Sequence, residues 1–279
     1  MHTASFSISP NDLWTLIGSA RAPQLIDVRR REIYDAAPGV LPTAIWQDFA
    51  QVVQWSQNLD RHRPIVLSCK QGKELRQAPT AWLRSEGFDA RVLAGGYAAW
   101  TDAGLPLVNR TALERFAPRR PNQRGASQWV TRRRPKIDRI ACPWLIRRFI
   151  DAQARILYVD PEFVLPVANE TSAIPFDIEG VEISHEGERC SFDTMLRVFG
   201  LEGEPALARL AVIVRGADTA RPDLAPESAG LHAISLGLSA LAGDNDHGLL
   251  QQGFMVYDAL FGYLRFAAQE RHNWPVKGA

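Results

Sequence analysis

Residues 65–77 read "IVLSCKQGKELRQ": a short buried-strand pattern ends at Cys69, a polar loop containing Gly72 follows, and a helical pattern begins. A strand that feeds a helix through such a loop is the repeating unit of a parallel sheet covered by helices. Working outward, "PQLIDV" (23–28) and "DARVLAG" (89–95) are two more short, apolar, β-branched runs bounded by turn residues, and both predict buried strands. From Glu74 to Glu86, Leu75, Ala78, Trp82 and Leu83 fall roughly on one helix face, and Gly87 follows as a stop. Residues 8–108 are therefore expected to form an α/β domain.

The texture changes beyond it. Residues 109–127 are polar and rich in proline and arginine, which predicts a linker. Residues 128–270 carry long helical patterns: one from Pro205 with Leu207, Leu210, Ala211 and Val214 on a stripe, one from Ser228 to Ala242, and one from His247 to about Phe266. Strands are expected only near "WVTRRR" (129–134), "ARILYVD" (154–160) and "VEIS" (181–184). The prediction is a mostly helical α+β second domain.

Composition bounds the function. Apolar residues make up 46% of the 279 and charged residues 23%, with a formal net charge of +1, so no bulk field draws the chain to nucleic acid or membrane. No apolar run reaches bilayer length, and the first twelve residues lack a basic segment followed by an apolar one. Three widely spaced cysteines do not form a disulfide framework. A cytoplasmic protein with free thiols is expected.

Open α/β sheets place their sites beyond the carboxyl ends of strands, where loop amides and a helix N-terminus favour negative charge. A thiolate or persulfide on Cys69 would be stabilised there, with Lys70 and Lys73 adding positive charge. The plainer alternative is a small buried cysteine. Together "LIDVRRREIYDAAPGVLPTAIW", the Cys69 loop and "GGYAAW" (95–100) resemble a single rhodanese domain. That resemblance implies a persulfide carried on Cys69 and cradled by the loop amides from Lys70 to Leu75, with Lys70, Gln71, Gly72, Lys73, Arg76, Asp27 and Arg29 as substrate-binding residues. It also implies sulfur transfer from a small anionic donor to a thiophilic acceptor. Many active members carry arginine where this chain has Glu74, and a carboxylate there repels thiosulfate.

In the second half, "TRRRPKIDRIACPWLIRRF" (131–149) sets seven basic residues against Asp138 alone. Such a run is either a solvated face or an oxyanion site built on Arg139 and Arg147. No stacking-aromatic pattern accompanies it, which argues against nucleic acid. Cys142 precedes Pro143, so it either caps a helix starting at Pro143, with a lowered pKa, or packs inside a kinked helix starting near Lys136. Asp218 continues the Leu207–Ala211–Val214 stripe and is either buried against Arg215 or on a turn after Gly216. "SHEGERCSFD" (184–193) brings His185, Glu186 and Cys190 together without a recognised metal spacing, and Ser191 is placed as a helix cap. His185 and Glu186, with Asp218 from elsewhere, are the candidate ligands of a divalent transition metal.

The long motifs at 129–161, 174–200 and 213–239 are similar to the C-terminal domain of the chromate-resistance protein ChrB. This similarity implies a link to chromate, as oxyanion or as stress. The whole reading is a rhodanese-like sulfur-handling protein tied to chromate resistance. The alternative is a non-catalytic, metal- or chromate-responsive binding protein.

Overall fold

The computed structural model describes residues 6–71, 77–117 and 126–270. In the first half, strands β1 (Ser7–Ile8), β2 (Gln24–Asp27), β4 (Ile45–Trp46), β5 (Ile65–Ser68) and β6 (Ala90–Leu93) form a five-stranded sheet in the order β1-β6-β5-β2-β4. All its neighbours are parallel, with β2 and β5 in register from Gln24–Ile65 to Asp27–Ser68. Leu25, Ile26, Ile65, Leu67 and Leu93 are buried between helix layers, which is why these runs lack polar alternation. The helices of this half are α1 (Pro10–Leu16), α2 (Arg31–Asp35), α3 (Val52–Trp55), α4 (Gln77–Ser85) and α5 (Gly96–Asp102). The α/β expectation holds, and all three predicted strands lie in this sheet.

The predicted linker is structured where it begins. Strand β7 (Val108–Asn109) pairs antiparallel with β3 (Gly39–Val40), and helix α6 (Arg110–Phe116) follows at once. The Asn109 side chain caps α6 by accepting from the Ala112 amide, and Ala112 and Phe116, one turn apart, are buried. That pair was too short a periodicity to stand out among the arginines. The rest of the stretch, 118–125, lies outside the described residues.

The second half has a small parallel sheet, β10-β8-β9, from β8 (Gln128–Arg132), β9 (Arg155–Val159) and β10 (Ile174–Pro175). The third strand is not "VEIS": residues 181–184 are bends, in a tight loop closed by the Asp177 amide donating to the Ile183 carbonyl (2.9 Å). Helices α7 (Asp138–Leu145), α8 (Val164–Thr171), α9 (Ser191–Val198), α10 (Pro205–Asp218), α11 (Ser228–Ala242) and α12 (Asp246–Gly262) supply the rest. Helix α7 contains Pro143 and passes into a π-helical turn at Ile146–Ile150. Proline has no N–H for the carbonyl one turn back, that of Arg139. The Tyr158 hydroxyl donates to that carbonyl instead, at 3.2 Å.

The two halves share one core. Phe149 and Phe261 of the second half meet edge-on (5.5 Å between centroids), and Phe149 lies 6.3 Å from Trp14 of α1, itself 6.1 Å from Trp100 of α5. Backbone bonds cross as well: the Thr43 amide donates to the Phe149 carbonyl (2.8 Å) and the Asn109 amide to the Phe199 carbonyl (2.9 Å). From the far end of the chain, Arg265 donates to the carbonyls of Trp14 and Ile17.

Candidate metal centre

Four segments converge beside the small sheet. Asp138 opens α7, Asp177 follows β10, His185 lies on the loop after it, and Asp218 ends α10. Nε2 of His185 is 3.3 Å from Oδ2 of Asp138, 3.5 Å from Oδ1 of Asp177 and 3.2 Å from Oδ2 of Asp218. Ligand atoms of Asp138, Asp177 and His185 all lie within 4.8 Å of one another. The side chains of Asp138 and Asp177 are 3% exposed, that of Asp218 14% and that of His185 43%, so the carboxylates form a floor under a more accessible imidazole.

The electrostatics are severe. Burial, followed by the neighbouring carboxylates Asp177 and Asp218, pushes Asp138 up to about 7, and the His185 hydrogen bond opposes this. Hydrogen bonds to Asp138 and Asp218 push His185 up to about 10. A single Nε2 proton cannot satisfy three carboxylates, and 3.2–3.5 Å is long for a charged hydrogen bond. The three spacings from Nε2 also match another arrangement, with ligand atoms mutually close for Asp138, Asp177 and His185, and Asp218 close to His185. With metal–ligand bonds of about 2.0–2.1 Å, neighbouring ligand atoms in a tetrahedron stand about 3.3–3.4 Å apart.

The surroundings hold Asp177 in place. Ser191 Oγ donates to its Oδ1 at 2.8 Å, and Arg132 (2.7 Å) and Arg139 (3.2 Å) pair with its Oδ2. Outer partners of this kind orient a ligating carboxylate. Backbone strain gathers here too. Of the six non-glycine residues with positive φ among those described, Asp177 (54°) is a cluster member, Ile137 (37°) precedes Asp138, and Ala220 (56°) is two residues past Asp218. A β-branched residue at positive φ is a costly conformation, and such outliers concentrate where function demands them. The Tyr257 hydroxyl donates to the Ile137 carbonyl at 2.7 Å and helps to hold it.

Several sequence-based expectations need correction. Glu186 is not in the cluster: it is exposed and pairs with Arg197 (2.7 Å), because the 186–189 turn carries it away from His185. Arg215 does not pair with Asp218 but makes a two-pronged contact with Asp193 (3.0 and 3.1 Å), leaving Asp218 to His185. Cys190, not Ser191, is the N-cap of α9. Cys142 lies inside α7, fully buried, and burial followed by Asp138 raises its thiol well above the ordinary value, the opposite of an activated thiolate. Cys190 is raised in the same way and donates to Asp193 at 3.4 Å. Arg139, Cys142 and Arg147 do not assemble into an oxyanion site: Arg139 is held by Asp177, and Arg147 donates to the Ala154 carbonyl (3.0 Å).

In the first half, Cys69 follows β5 and is 3% exposed. Its carbonyl accepts from the Tyr97 amide (2.8 Å) and that of Lys70 from the Ala98 amide (3.0 Å), so the start of the loop is tied to α5. Lys70 and Gln71 are exposed; Gly72, Lys73, Glu74 and Arg76 lie outside the described residues. Asp27 and Arg29 form a buried ion pair (2.7 Å) with the guanidinium 3.8 Å from the Tyr97 ring centroid, an arrangement that braces the turn.

A parallel α/β sheet with a strand-end cysteine, joined to a helical half with a histidine–aspartate cluster, defines the class. Residues 9–103 match the rhodanese-like domain family and residues 129–264 match the family of the ChrB C-terminal domain, so the chain joins these two domains. The second half is similar to Protein ChrB of Cupriavidus metallidurans, 37% identical over 145 residues, which are 52% of this chain and 43% of that protein. The chain thus spans less than half the length of that relative. Among solved structures, it is similar to a rhodanese-related protein from Thermoplasma volcanium (22% identical, 37% of this chain and 96% of that one, TM-score 0.33). It is also similar to a rhodanese-like domain protein from Staphylococcus aureus (25%, 36% and 96%, TM-score 0.32). No described helix is long and apolar enough to cross a membrane.

Proposed function

We propose that this chain is a metal-binding, sulfur-handling protein linked to chromate resistance. Its second half holds one divalent transition-metal ion on His185, Asp138, Asp177 and Asp218, and Cys69 carries a persulfide. The observation that carries the metal reading is the convergence of three carboxylates on one imidazole nitrogen at ligand-edge spacing. One nitrogen and three oxygens suit zinc, manganese or ferrous iron rather than a soft ion such as Cu(I). Against a directly bound chromate in the same place stands charge: without a metal ion the three carboxylates offset Arg132, Arg139 and His185, so a dianion meets no net positive charge. The link to chromate and the persulfide rest on the two family matches and on the place of Cys69 at a strand end.

Elemental analysis after exhaustive dialysis tests the proposal. Wild type is expected to retain about one equivalent of metal, His185→Ala and Asp138→Asn to lose it, and Cys69→Ser to keep it while losing sulfur transfer to a thiol acceptor. Metal-free wild type overturns the metal reading, and transfer that survives Cys69→Ser overturns the role of Cys69.

A further inference from the structure

A cavity of about 490 Å³ opens against the cluster, and Asp177 and His185 belong to its wall. This is within the range of small-molecule sites, roughly 300–1,000 Å³. Its lining is divided. Arg132 and Ser184 are polar, while Pro161, Ile178 and Val181 are apolar, and Glu179 stands exposed at the rim. Arg132 gives one nitrogen to Asp177 at 2.7 Å, and its buried Nε has no hydrogen-bond partner among the described residues. Because Arg132 also lines the cavity, its positive charge stands beside any anion that enters.

Charge points to the kind of ligand. With a divalent ion present and His185 neutral, Asp138, Asp177, Asp218, Arg132 and Arg139 leave the centre with a single net positive charge, and the exposed Glu179 at the rim opposes it only weakly through solvent. A monoanion balances it. The planar fork of arginine matches a carboxylate best, and an inorganic oxyanion would leave the Pro161–Ile178–Val181 wall uncovered. We propose that the cavity binds a small organic carboxylate, its head group taking a fifth position on the metal ion beside Arg132 and its aliphatic body against Pro161, Ile178 and Val181. This inference rests on the metal reading above.

The test uses the full chain loaded with Co(II), whose visible absorption reports a change in coordination. Acetate, butyrate, hexanoate and inorganic sulfate are titrated separately. A saturable change is expected with the carboxylates, tightening by up to about fourfold per added methylene. Arg132→Met, titrated at a cobalt concentration high enough to restore one bound equivalent because Arg132 also holds Asp177, is expected to weaken butyrate by tenfold or more, and Val181→Ser to flatten the chain-length dependence. Cobalt bound with no carboxylate response overturns the inference and leaves the metal reading standing. Sulfate binding as tightly as hexanoate overturns the organic ligand. Failure to bind cobalt overturns both.

Discussion

Replacing Gly18 by alanine tests whether the two halves are one folded body. Gly18 follows α1 and has φ +82°, and a Cβ there would stand 2.4 Å from Cε1 of Phe261 and 2.8 Å from Cζ of Phe149. Both rings are buried and belong to the second half, so neither can swing aside into solvent. The left-handed backbone costs an L-residue about 1–2 kcal/mol, and forcing a methyl into a packed core adds about 1–3 kcal/mol. Against a typical stability of about 5–15 kcal/mol the sum is severe, and at roughly 2–4 °C per kcal/mol it lowers the melting temperature by about 10 °C. Gly87→Ala is the control, with nearly the same φ (+86°) and nothing within 4 Å of its Cβ, so it carries the backbone cost alone. Calorimetry should show one transition for wild type and a loss for Gly18→Ala at least twice that for Gly87→Ala. Equal losses, or two separate transitions in wild type, would refute the shared aromatic core.

Other outcomes follow from the cluster. Ser191→Ala removes the donor to Asp177 Oδ1, and equilibrium dialysis should show metal affinity reduced by about 10–100-fold. Glu186→Gln, changing a residue paired with Arg197 outside the cluster, should leave that affinity within about twofold. Because burial raises both thiols, Cys142 and Cys190 should alkylate far more slowly than a model thiol near neutral pH in the folded protein; rapid labelling of either, read by mass spectrometry, would contradict their placement.

Much of the fold could be read in advance because burial writes itself into local pattern. Parallel strands covered on both faces are apolar runs, the helix expected from Pro205 starts there as α10, and the small-residue run from Ser228 to Ala242 is α11. Asp218 was reachable by helical counting, since it continues the stripe of Val214. Asp138 and Asp177 were not picked out, because the four residues of the cluster come from four separate segments and no local spacing joins them. Weak signals did exist: Asp138 is the lone acid in the basic run, and aspartate tolerates the left-handed conformation found at Asp177. Glu186 misled because adjacency in a turn is not proximity. Pro143 left two helix starts open, and the one near Lys136 holds because Tyr158, distant in sequence, satisfies the carbonyl that the proline leaves open. The shared core was hidden behind the polar composition of the junction, whose first part folds as β7 and α6.

X-ray absorption at the edge of the metal that the purified protein retains reads the donor atoms themselves. The His185 cluster predicts a first shell of oxygen and nitrogen only, at about 2.0–2.1 Å, with the outer-shell scattering of a single imidazole. Sulfur at about 2.3 Å would place Cys142 or Cys190 on the metal and contradict it.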